Sequence, residues 1–116
     1  MCQDSLVVAY DAATSQAASR LWWLLTDAGH REVRVLNGGL AAWRAAGLPT
    51  ASGPGSRPPR GAFVAHPGHR PQLTAAEISA RLGTPDAPTL VDVRAAERYS
   101  GESESIDPVA GHIPTA

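Results

Sequence analysis

The sequence predicts an α/β fold in which a parallel β-sheet is flanked by helices, present as parts of two domains joined by a Pro/Gly-rich linker. Three observations predict it. Valine-rich runs at 5–10 and 32–36 flank a helical pattern with short connections, the order of a right-handed strand–helix–strand crossover. A further helical pattern and a third valine-rich run follow at 73–83 and 88–94. Between them, residues 51–71 hold five prolines and four glycines, too many for a helix or a long strand.

"SLVVAY" (5–10) has the continuous apolar character of a strand buried on both faces. Asp11 then opens the loop that leads into a helix over 14–29. There apolar residues fall at 17, 21, 24 and 28 and at 18, 22 and 25, giving a wide buried face. Thr14 or Ser15 is expected to cap its first turn, and Gly29 to close it in the left-handed conformation. "EVRVL" (32–36) is a second strand, "NGG" a turn, and "LAAWRAAGLP" a short helix stopped by Gly47 and Pro49. Trp22 and Trp43 are expected to pack helix against sheet. The stretch 51–71 is expected as an interdomain linker with room for one short extended piece at "AFVAH".

Beyond it, Thr74 and Glu77 stand three residues apart, the spacing of a capping box, with Ile78 and Leu82 one turn apart behind them. "PTLVDVR" (88–94) is expected as a buried strand ending in polar residues. "AAERYSGESESIDPVAGHIPTA" begins as a brief helix, continues as an acidic loop and ends in a turn. Each flanking part has about 45–50 residues, at the edge of what buries an adequate core alone. The segment is therefore expected to be cut across two domains.

Composition narrows the function classes. The formal charge is −1, and the ten basic residues, all arginine, are scattered, so no nucleic-acid partner is expected. One cysteine, Cys2, excludes an internal disulfide and any multi-cysteine zinc site. "HPGH" (66–69) has no third ligand nearby, so no metal is expected there, and no cofactor elsewhere. No apolar run is long enough to span a bilayer and no signal-peptide pattern opens the chain, which gives a cytoplasmic expectation without a membrane partner.

Two stretches carry a resemblance. "VLNGGLAAWRAAGLPT" resembles the GG-x-x-x-W-x-x-x-G-x-P ending of a rhodanese domain. "VDVRAAERYSGESESIDPVAGHIPTA" resembles the opening of another, with its D-x-R strand end and G-H-I-P-G-A turn. With the linker between them, the chain resembles a tandem-rhodanese sulfurtransferase of the thiosulfate and 3-mercaptopyruvate type. The resemblance implies the end of a non-catalytic first domain at 1–50, a linker at 51–71 and the start of a second domain at 72–116. It also implies transfer of sulfane sulfur from a small-molecule donor, through a cysteine persulfide, to cyanide or a thiol.

In an active domain of this kind the strand matching "VVAY" is followed by the nucleophilic cysteine, whose loop turns backbone N–H groups toward the persulfide. Here that position is Asp11, a vestigial nucleophile position with no sulfur to carry. The resemblance puts the catalytic cysteine beyond Ala116, so none of these residues is expected to be catalytic; Cys2 matches no active-site position. Arg98 matches a substrate-binding arginine, suited to a sulfonate-like or carboxylate end. The following loop has no second arginine, which favours thiosulfate over 3-mercaptopyruvate. Asp92, Arg94 and His112 look like scaffold polar groups. Thr115 stands where the family has glycine and is strained if that position needs positive φ. Self-association of incomplete sheets is expected. The alternative is a non-catalytic rhodanese-like interaction module or the remnant of a truncated gene.

Overall fold

The computed structural model describes residues 1–116 apart from Ala13 and Pro58, which lie in the loop after Asp11 and in the linker. The described residues divide into two compact units, Met1–Pro71 and Gln72–Ala116.

The first unit runs β1 (Val7–Ala9), α1 (Gln16–Asp27), β2 (Val33–Val35) and α2 (Gly39–Ala45). The two strands pair in parallel with Val7 opposite Val33, Val8 opposite Arg34 and Ala9 opposite Val35. Flanking bonds extend the ladder, from Val7 N–H to the Glu32 carbonyl (2.8 Å) and from Leu36 N–H to the Ala9 carbonyl (2.9 Å). Ala9, Ala18 and Val33 form the buried apolar centre where α1 crosses the sheet.

Glycine ends both helices for the same reason. Gly29 (φ 88°) and Gly47 (φ 69°) take the left-handed conformation. The next residues, His30 and Leu48, donate back to the carbonyls of Leu25 (2.8 Å) and Trp43 (3.3 Å), so the last turns keep their acceptors filled.

The N-terminus of α1 departs from expectation. Ser15 is itself left-handed (φ 59°) and neither it nor Thr14 supplies a side-chain cap. The strand at 5–10 is shorter than expected and is not buried on both faces. Val8 and Tyr10 are exposed, Tyr10 by 60 %. They line an open groove with Leu36, Leu40 and Trp43 on the side that α1 leaves uncovered. Trp43 consequently lies at the surface rather than in the core, its Nε1–H donating to the Pro49 carbonyl at 2.9 Å. Trp22 is half-buried beneath the Arg70 guanidinium, 5.3 Å from its ring.

Part of the expected linker is docked on the first unit. Phe63 N–H donates to the Met1 carbonyl (3.2 Å) and His66 N–H to the Ala28 carbonyl (2.9 Å). The buried Asp27 carboxylate accepts the N–H groups of Gly68 (3.2 Å) and Arg70 (2.9 Å).

The second unit contains α3 (Ala75–Ser79) and α4 (Ala96–Ser100). The capping box forms as the sequence implies: Thr74 Oγ1 accepts Glu77 N–H at 3.3 Å and Glu77 Oε2 accepts Thr74 N–H at 2.7 Å. The expected strand at 88–94 does not form among the described residues. A strand is defined by its ladder, and no described segment pairs with it; Val91 and Val93 are exposed, Val93 by 90 %. No described helix is long and apolar enough to cross a membrane.

Candidate functional site

The first site-like feature is the corner where β1 leads into α1. Asp11 Oδ1 accepts Ser15 N–H at 2.9 Å, and Oδ2 accepts Ala18 N–H at 3.2 Å. These amides belong to the entrance of α1, where the Ser15 side chain makes no capping bond, and the carboxylate meets the positive end of the helix dipole. The Asp11 carbonyl accepts Leu40 N–H (2.9 Å) from the start of α2. This closeness requires Gly39: its φ is 57°, and a Cβ there would lie 2.7 Å from the Asp11 carbonyl oxygen. One aspartate thus joins the two strand–helix corners. Chemically the corner is an anion cradle filled by the chain's own carboxylate, and it presents no thiol or hydroxyl nucleophile at Asp11.

The second feature is a charged cluster built from the D-x-R strand end, α4 and the acidic loop. Arg94 bonds Asp92 through Nε (3.0 Å to each carboxylate oxygen) and Nη2 (2.6 Å), and Nη2 also donates to the Gly111 carbonyl at 2.6 Å. This clamp sets the glycine–histidine turn against the 92–94 segment. Hydrogen bonds from the Arg94 side chain, then from its backbone N–H, hold Asp92 down at about 2. The same carboxylate raises the pKa of Arg94.

Arg98 is paired rather than freely solvated, its side chain 22 % exposed. Its Nε donates to Glu104 (2.9 and 3.1 Å) and its Nη2 to Asp107 (2.7 Å). Glu104 is the hub. It also accepts the N–H groups of Ile106 (2.8 Å) and Asp107 (2.9 Å), and its Oε2 lies 3.6 Å from Arg94 Nη1. The Arg98 side chain, then the two backbone amides, hold its carboxyl at about 2. Its side chain is only 5 % exposed, whereas that of Asp107 is 50 % exposed.

His112 stacks on Tyr99 (centroids 3.9 Å apart, planes 12° apart) and donates from Nδ1 to the Tyr99 carbonyl at 2.7 Å. Tyr99 Oη–H in turn reaches the Ala116 carbonyl at 2.7 Å. Thr115 has φ 73°, the left-handed conformation that suits glycine. The structure therefore brings Asp92, Arg94, Arg98 and His112 into one unit and leaves Asp11 in the other.

Sequence reasoning missed Glu104 and Asp107 as the arginines' partners. The one available signal was the recurrence of acidic residues at 102, 104 and 107 after α4. Cys2 is exposed, and no group of three metal-binding side chains occurs among the described residues.

Residues 2–46 match the rhodanese-like domain family. Over 98 % of its length the chain is 50 % identical to a probable 3-mercaptopyruvate sulfurtransferase of Pseudomonas aeruginosa. Over 97 % it is 42 % identical to SseB, a putative thiosulfate sulfurtransferase of Mycobacterium tuberculosis, and over 95 % it is 38 % identical to the thiosulfate sulfurtransferase of Rattus norvegicus. It spans 40 %, 39 % and 38 % of those three proteins, so it matches well under half of each. Its first unit is thus similar to a rhodanese-like domain, and the chain is similar to sulfurtransferases of which it covers about two fifths.

Proposed function

We propose that this chain is the central piece of a tandem-rhodanese sulfurtransferase. Residues 1–50 are the end of a non-catalytic first domain, 51–71 the connection and 72–116 the start of the domain that binds the donor. The observation that carries this reading is Asp11, whose carboxylate fills the amide cradle at the entrance of α1. A carboxylate there is stable but cannot carry sulfane sulfur.

In the whole protein a cysteine thiolate attacks the outer sulfur of thiosulfate, forms an S–S bond and releases sulfite. Cyanide or a thiolate then takes the outer sulfur and frees the thiolate. Arg98 holds the donor's anionic end. In support, its Nε and Nη2 already address carboxylate oxygens, the geometry an oxyanion of the donor would use. The loop "ESESIDPVA" (102–110) has no basic residue, which favours thiosulfate over 3-mercaptopyruvate.

The test is thiocyanate formation from thiosulfate and cyanide by the 116-residue chain. None is expected. Activity that survives Cys2→Ser would refute the reading, and activity that Cys2→Ser abolishes would make Cys2 the nucleophile and refute it equally.

A second reading, a non-catalytic interaction module, is favoured by exposed apolar Val8 on β1 and Leu6 and Tyr10 flanking it. It predicts association of the chain with itself in sedimentation velocity. A monomer at high micromolar concentration would remove that support.

A further inference from the structure

The two carboxylates on Arg98 are unequal, and the difference assigns them separate tasks. Glu104 is nearly buried and fixed by two backbone amides as well as by Arg98, so it cannot leave without breaking the 104–107 turn. Asp107 is half exposed. Its carboxylate touches Arg98 Nη2 at 2.7 Å and stands 3.7 Å from Arg94 Nη1, and no other bond to that carboxylate is present among the described residues. It sits on the wall of a cleft of about 520 Å³ that Asp92, Arg94 and His112 also line, with apolar Val91 and Ile113 beside them.

We infer that Asp107 is an exchangeable counter-ion, which occupies the two guanidiniums until the donor's anionic end displaces it. This rests on the reading of Arg98 as the donor's partner and adds to it a residue that sets donor affinity. Two guanidiniums face three carboxylates in the cluster, so an incoming anion is repelled while Asp107 remains. Once Asp107 swings into solvent, the charges of the cluster balance, and Arg94 on the cleft wall and Arg98 Nη2 behind Asp107 are released for an anion that takes the place of its carboxylate. Glu104 meanwhile keeps Arg98 Nε fixed, so the guanidinium meets the anion already oriented. Glu104 is thus a positioning residue, and Asp107 an affinity-determining one.

Thiosulfate and pyruvate serve as probes, titrated into the 116-residue chain while the Nε–H signals of Arg94 and Arg98 and the side-chain carboxyl signal of Asp107 are followed by NMR. In the unaltered chain the Asp107 signal should move with saturation and that of Glu104 should stay. Asp107→Asn should bind thiosulfate roughly three- to tenfold more tightly, the range expected for losing a half-exposed competing ion pair. Glu104→Gln should weaken binding. Equal or weaker binding by Asp107→Asn, or a motionless Asp107 signal in the unaltered chain, would overturn the exchange. Because the second readout uses the unaltered chain, it holds even where a variant misfolds. Arg98→Ala separates the two ideas: lost binding with an indifferent Asp107→Asn overturns the exchange alone, whereas unchanged binding overturns the Arg98 reading beneath it.

Discussion

Replacing Asp11 by alanine removes, among the described residues, side-chain bonds to Ser15 N–H at 2.9 Å and Ala18 N–H at 3.2 Å at the entrance of α1. Ser15 cannot take over, because its left-handed backbone leaves its hydroxyl without a capping bond. Loss of such a cap costs about 0.5–2 kcal/mol, and a charge on the helix dipole contributes about 0.3–1 kcal/mol of that kind of stabilisation. Asp11 combines both and serves two amides, so Asp11→Ala should fall at the upper end, about 2 kcal/mol. Asp11→Asn keeps an oxygen for Ser15 N–H but loses the charge and turns an NH₂ toward Ala18 N–H. It should cost about 1 kcal/mol by the same reasoning. Urea unfolding at pH 7, followed by the fluorescence of Trp22 and Trp23 on α1, measures both. An alanine variant within about 0.3 kcal/mol of the parent would refute the cap, since that is below the smallest loss expected. An asparagine variant worse than alanine would refute the assignment of the two oxygens.

Gly39→Ala should destabilise the first unit by about 1–3 kcal/mol, because the residue is left-handed and its Cβ would press on the Asp11 carbonyl; urea midpoints decide it. In the second unit, the folded-state pKa values of Asp92 and Glu104 lie at about 2, below their ordinary 3.8 and 4.5. Their contribution is therefore complete above pH 4.5 and is lost as the pH falls from there toward 2, with Glu77 shifted in the same direction. The protection factors of the Ile106 and Asp107 amides, which remove the intrinsic pH dependence of exchange, should fall across that window and stay level above it; a fall beginning above pH 6 would contradict the assignment. Thr115→Gly should stabilise by about 0.5–1 kcal/mol, as relief of roughly 1–2 kcal/mol of left-handed strain outweighs glycine's larger unfolded-state freedom. A lower urea midpoint for that variant, read from Tyr99, would show that the backbone there carries no such strain.

The parts of the fold legible in the sequence were those set by neighbours in the chain. The order β1–α1–β2–α2 follows from local apolar spacing, and Gly29, Gly47 and the Thr74–Glu77 box work within one turn of the residues they serve. What failed needed a distant partner. The valines of 88–94 have strand character, but character makes no ladder without a second strand. Trp43 has the size of a core residue, yet its position depends on whether anything covers that face of the sheet. In the charged cluster, Arg98 was found through its motif, whereas its partners were indistinguishable among several acids. Only burial separates Glu104 from Asp107, and burial is a property of the folded loop.

The two ends of α1 show how far sequence rules reach. At its N-terminus a carboxylate is where electrostatics favours it, yet it comes from Asp11, outside the helix, rather than from the adjacent Thr14 or Ser15. At its C-terminus stands Asp27, where a negative charge opposes the helix dipole and burial should make matters worse. The opposition is offset by backbone N–H groups of Gly68 and Arg70, some forty residues later, while the Asp27 carbonyl accepts from His69 through its N–H (3.3 Å) and Nδ1 (3.0 Å). An acid placed against the dipole is therefore the fastening for residues 68–70, which looked like free linker. Its worth lies in that unfavourable position: without the returning segment the carboxylate would oppose the helix, so α1 and the docked stretch depend on each other.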